Sequence, residues 1–129
     1  MRYLTEEELH IASRFLFLSM AIVVIKQDVA HIQNGAFKIK DPYIELLQRM
    51  ESNALNERRK LRKTMEDKKL KVVQLNKNDS FSSYLFTCNG YEEKRNYFNP
   101  AIRKHVQAIY EELMELSLQS SQPAAVAKA

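Results

Sequence analysis

Residues 79–98 read DSFSSYLFTCNGYEEKRNYF, and the fold class turns on how they are taken. As a strand, Phe81 to Cys88 would pair back on Val72 in a hairpin. As a helix capped by Asp79, the segment puts Phe81, Tyr84, Leu85, Cys88, Tyr91, Arg95 and Phe98 on one face. Gly90 counts against the helix, costing about 1 kcal/mol relative to Ala in a helix interior. We take the helical reading, 79–97, which makes the chain all-α: a small antiparallel bundle of about four helices.

Working outward, the segment before it is turn-rich Asn76-Lys77-Asn78-Asp79-Ser80, preceded by Leu70, Val72, Val73 and Leu75 as an extended or β-like connector over 70–75. Ahead of that, Asp41-Pro42 opens a second helix, 41–68, with Asp as N-cap and Pro at N1. Tyr43, Leu47, Met50, Ala54, Leu61 and Met65 form its apolar face, interrupted at Glu57. Its second half is charge-rich and is expected to run past the body of the domain or along its surface. On the other side, Asn99-Pro100 repeats the cap-plus-proline device. Ile102, Val106, Ile109, Leu113 and Leu116 then keep a 4-3 spacing through a helix over 100–118. The domain is expected to span 1–118, and the small, polar, proline-broken tail 119–129 is expected to be disordered.

The first helix, 5–34, is the one the others must cover. Thr5 and Glu8 have the spacing of a capping box, with Leu4 and Leu9 as a hydrophobic staple. Ile11, Phe15, Leu18, Ile22, Ile25, Val29 and Ile32 keep an unbroken 4-3 spacing. Within it, Phe15 to Ile25 reads FLFLSMAIVVI without a charge, so its centre must touch more than one neighbour. Asn34-Gly35 supplies a left-handed stop. The apolar run is shorter than the roughly 20 residues a membrane span needs. Glu6, Glu7 and Glu8 stand where a signal peptide would be basic. No membrane association is expected.

Composition sets few limits. The chain has 129 residues, 45% hydrophobic and 28% charged, with a formal charge of +4 and a pI near 9.2. Such a balance is compatible with nucleic acid without requiring it. A single cysteine, Cys88, excludes an intrachain disulfide and fits a cytoplasmic location.

No catalytic signature is present: no phosphate-binding glycine loop, no HExxH, no GxSxG and no cysteine pair for zinc. We expect no enzyme and no cofactor. Glu7-x-x-His10 and Asp28-x-x-His31 resemble the acid-x-x-His pairs of di-metal bundles. They lie on one helix, 21 residues or about 31 Å apart, so they cannot share a site and no metal is expected. Basic residues gather at Arg58, Arg59, Arg62, Lys63, Lys68, Lys69 and Lys71. That run reads first as a solvated face and second as an anion- or nucleic-acid-binding face. Phe81, Tyr84, Phe86, Tyr91, Tyr97 and Phe98 crowd into 18 residues, bulky enough to cover the apolar first helix. With two heptad stripes available, Phe15, Leu18, Ile22, Ile25, Tyr91, Tyr97 and Phe98 are the candidate interface. The expected role is a non-catalytic interaction or regulatory protein acting through homodimerisation or a protein partner, with nucleic-acid binding as the alternative.

The phrases AFKIKDPYIELLQRM and NGYEEKRNYFNPAIR, ordered around a long apolar first helix, resemble the YhjD-like group of short helical proteins of Bacillus-type bacteria. That resemblance implies a Firmicute, cytoplasmic origin and carries no catalytic motif.

Overall fold

The computed structural model describes residues 3–128, with side chains described for residues 3–119. Its elements run α1 (Glu6–Asn34), α2 (Asp41–Lys68), β1 (Leu70–Lys77), β2 (Phe81–Cys88), β3 (Tyr91–Phe98) and α3 (Asn99–Lys128). The expectation of an all-α four-helix bundle is therefore corrected: three helices pack with a three-stranded antiparallel sheet, ordered β1-β2-β3. The helices expected at 5–34, 41–68 and 100–118 exist. The helix expected at 79–97 is instead a β-hairpin, and the connector expected at 70–75 is its third strand. The tail expectation over 119–129 falls, from residue 120 on, outside the described side chains.

The physical reason lies in two local features. Along β2, Ser82, Tyr84, Phe86 and Cys88 are buried while the residues between them are not, a period of two that buries one face of a strand. Asn89 and Gly90, at φ 51° and 83°, then form the entire loop between β2 and β3. Two consecutive residues at positive φ match the twist of a two-residue hairpin turn. Gly90, read above as a defect in a helix, is the residue the turn requires. The strand alternative pairs as expected: Val72 sits opposite Phe86, and Phe86 opposite Glu93.

At the other turn, Asn78 Oδ1 accepts the backbone N–H groups of Ser80 and Phe81 at 2.8 and 2.7 Å. Asn99 does not cap α3 with its side chain. Its Nδ2 donates to the Asn78 carbonyl at 2.9 Å, and its Oδ1 accepts the Ser82 hydroxyl at 2.7 Å. The start of α3 is thus tied to the β1–β2 turn.

Two apolar clusters share α1. In one, Phe17, Leu18, Ala21, Ile22 and Ile25 meet Leu47, Met50 and Ala54 of α2 and Ile109 and Leu113 of α3. In the other, Leu4 and Ala12 meet Met65, Leu70, Tyr84, Phe86 and Cys88. Leu16 and Met20 touch both. The crowding of FLFLSMAIVVI has this cause: most of its apolar residues pack between the helices, while Phe15, Leu16 and Met20 also reach the cluster under the sheet. The capping box at Thr5 and Glu8 forms as expected. Gly35 is not left-handed but extended, at φ −86° and ψ −179°. A Cβ there would come within 2.8 Å of the His31 carbonyl, so close approach rather than φ selects glycine. The α2 start is also shifted by one: Asp41 is its first residue, and Lys40 precedes it without a side-chain cap.

α1 is long and apolar enough to cross a membrane, with mean hydropathy 1.8 over 18 residues. Core helices pass the same measure, and 33% of that window is buried in the fold.

Candidate functional site

The expected interface residues are divided by the fold. Leu18, Ile22 and Ile25 are buried between the helices, so the seam of α1 is consumed inside the chain. Phe17 stacks on His105 at 4.8 Å and meets the edge of Tyr97 at 5.4 Å, so Tyr97 also faces inward. Tyr91 and Phe98 remain exposed, and Phe15 is half-buried. The crowded aromatics divide likewise. Tyr84, Phe86 and Tyr97 pack toward α1, while Phe81, Tyr91 and Phe98 are open to solvent.

The hairpin register explains this. Residues opposite one another in an antiparallel pair share a face. On the face turned away from the helices the register gives four rows. Lys71, Thr87 and Glu92 form one, Val73, Leu85 and Lys94 the next, Asn76, Ser83 and Asn96 a polar third, and Phe81 and Phe98 the last. Phe81 and Phe98 are 49% and 51% exposed with ring centroids 5.6 Å apart, and Val73 is 50% exposed. The helical reading sets Phe81, Leu85 and Phe98 on one face but names only Phe98 as interface, and it misses Val73, which joins them only through strand pairing with Leu85.

The basic residues are also divided. Arg58 and Arg62 lean over the ring of Phe15, with guanidinium carbons 4.7 and 5.9 Å from its centroid. Arg58 Nε donates to the Ser19 hydroxyl at 2.8 Å. Burial, and then the like charge of Arg62, lower the Arg58 pKa from its ordinary value. Among the described residues neither guanidinium has a carboxylate within ion-pair distance. Arg59 and Lys63 are exposed one helical position further round.

Below Phe15, in the corner where α2 ends and β1 begins, lies an open groove of about 680 Å³. Phe15, Met65, Leu70 and Val72 supply its apolar floor, and the Asn89–Gly90 turn closes one end. Arg62, Lys69 and Lys71 border it against a single carboxylate, Glu66. Lys69 reaches this position because it ends α2 in the left-handed conformation, φ 56°, its N–H turned back to the Met65 and Glu66 carbonyls. Part of the basic run thus rims a cavity, an arrangement that its charge pattern alone does not reveal.

Other chemistry is confined. The Cys88 Sγ lies 3.4 Å from Glu8 Oε2 and 3.3 Å from the Lys68 carbonyl, two acceptors for its single S–H. Among the described residues, no three of His, Cys, Asp and Glu group as metal ligands. Asp28 accepts the Tyr110 hydroxyl at 2.7 Å. Burial, reinforced by that bond and by the carboxylate's charge, pushes the Tyr110 phenol above its ordinary range.

The family model described as YhjD protein matches residues 3–118. The chain is similar to "Uncharacterized protein YhjD" of Bacillus subtilis (strain 168), 34% identical over 106 residues, covering 82% of this chain and 88% of the relative. No solved structure matches.

Proposed function

The chain belongs to the YhjD family, and from that premise we propose that it is a non-catalytic interaction protein that self-associates through the outer face of its sheet. One observation carries the reading: among the described residues Val73, Phe81 and Phe98 are about half exposed on the sheet face turned away from the helices, with half-buried Leu85 beside Val73 and the Asn76–Ser83–Asn96 row between the two apolar groups. Exposed apolar patches of this kind mark interaction surfaces.

The pattern of charges favours a second copy as the occupant. Lys71 and Glu92 stand at opposite edges of one row, with Thr87 between them on the central strand. A two-fold axis parallel to β2 brings each Lys71 over the Glu92 of the other copy, and each Phe81 over its own equivalent. Such a face is complementary to itself, as a two-fold interface must be. Two sheets so stacked would lie about 10 Å apart, leaving room for the Phe and Leu side chains between them.

Gel filtration with light scattering tests this: the wild type is expected to run as a dimer, and Phe81→Glu or Phe98→Glu as a folded monomer. Lys71→Glu alone should weaken the dimer, and adding Glu92→Lys should restore it. A strictly monomeric wild type ends the proposal.

A further inference from the structure

We propose that the open edge of β1 and the groove beside it accept an extended acidic-apolar peptide as a fourth strand. The proposal rests on the reading of the chain as an interaction protein and shares Lys71 and Val73 with the face used there, but it engages the main chain of the sheet edge.

The sheet order leaves β1 with a partner on one side only, so its other side carries N–H and C=O groups available to another strand. The groove runs along that edge and reaches Thr87 on the neighbouring strand. Leu70, Lys71, Val72 and Val73 all border it in succession, whereas a pocket on one face of a strand would take alternate residues of β1. Further along, pairing between β1 and β2 shifts at Gln74/Asn76, and a bulge of this kind hinders strand addition. The regular, addable part of the edge is therefore the part beside the groove.

Strand addition takes affinity from the main chain and specificity from pockets for alternate side chains. Here one side of an added strand would meet the apolar floor at Phe15 and Val72. Its carboxylates would meet Arg62, Lys69 and Lys71, which face only Glu66. Arg62, with no carboxylate of its own within ion-pair distance, gains one from the peptide. The volume, about 680 Å³, lies within the roughly 300–1,000 Å³ of binding pockets for small molecules, and because the groove is open at the edge it suits a segment passing through rather than an enclosed ligand.

The test is titration of the isotope-labelled full chain with an acetylated hexapeptide alternating Val and Glu, read by fluorescence anisotropy and by amide shifts. We expect saturable binding that weakens with salt, with the largest shifts at Leu70 to Gln74. Arg62→Glu with Lys69→Glu should weaken it about tenfold. The fully N-methylated peptide, which has no N–H to give the edge, should not bind. Equal binding of that peptide, or of sodium decanoate in its place at the same residues, makes the groove an anion pocket and overturns strand addition. Equal binding of a Val-Lys peptide overturns the charge argument, and preference for a single-stranded oligothymidylate assigns the surface to nucleic acid instead. Absence of binding by the Val-Glu peptide at millimolar concentration overturns the proposal outright. Running the same titration on the Phe81→Glu variant separates this outcome from the dimer: a monomeric variant leaves Lys71 and Val73 uncovered and should bind the peptide at least as tightly as the wild type.

Discussion

Two neighbouring rungs of the α1–α2 contact end differently. At the first, Arg14 of α1 meets Glu57 of α2 through both ends of its guanidinium, Nε to Oε2 at 2.7 Å and Nη2 to Oε1 at 3.0 Å. Its remaining nitrogen reaches Glu112 of α3 at 3.0 Å. One residue further on each helix, Phe15 meets Arg58, whose partners are a ring and the Ser19 hydroxyl. The Arg14 pKa is raised, chiefly by its bond to Glu57, and that of Arg58 is lowered, chiefly by burial. A cation whose counter-charges are built into the fold locks three helices together. Arg58, without a carboxylate partner among the described residues, ties α2 to α1 only through a ring and a hydroxyl.

The sharpest way to break this comparison is Arg14→Ala, which leaves the half-buried Glu57 without its partner. A loss of about 2 kcal/mol is expected in denaturant unfolding, below the full cost of a completely buried pair because both side chains retain solvent. A smaller effect is expected from Tyr110→Phe, about 1 kcal/mol for the bond to Asp28. Its pH dependence is diagnostic. The folded phenol is held above the unfolded value of 10.0, so the unfolded state loses its proton first. The stabilisation is complete below that pH and is lost as pH rises through the alkaline range, by linkage. Melting curves of Tyr110→Phe should be flatter there than those of the wild type. Smallest of all should be Arg58→Leu, within about 0.5 kcal/mol of the wild type in the same denaturant assay. Removing a desolvated cation offsets the loss of its bond to Ser19. If Arg58→Leu unfolds as readily as Arg14→Ala, then Arg58 is a structural residue and the contrast fails.

How much of this was legible in the residues depends on the range over which each signal acts. The capping box at Thr5 and Glu8 is a contact between residues three apart, and it forms as read. Two 4-3 stripes and one interrupted apolar face located three helices, since a helix repeats within its own length. They did not say what each stripe would touch. The same stripe on α1 suggested an interface, yet Leu18, Ile22 and Ile25 are spent on α2 and α3. The segment over 81–98 satisfied a helical face and a strand alternation alike. Asn89-Gly90 was the local feature that could have decided it, because two adjacent residues suited to positive φ belong to a two-residue hairpin turn and not to a helix. The groove had a partial signal in the basic run 58–71, but its apolar floor comes from Phe15 on α1 and from Val72 on β1, residues far apart in the chain.

By itself, then, the sequence determined the helices α1, α2 and α3, the capping box that opens α1, and the need to surround FLFLSMAIVVI, because these follow from contacts between near neighbours. Tertiary structure alone decided that a sheet covers one flank of that segment, that Val73 joins Leu85 on an open face, and that Arg62 and Lys69 border a groove while Arg14 is neutralised. The reason is physical: a side chain's own periodicity says that it has a partner, and only the packed chain determines whether that partner is core, counter-charge or solvent.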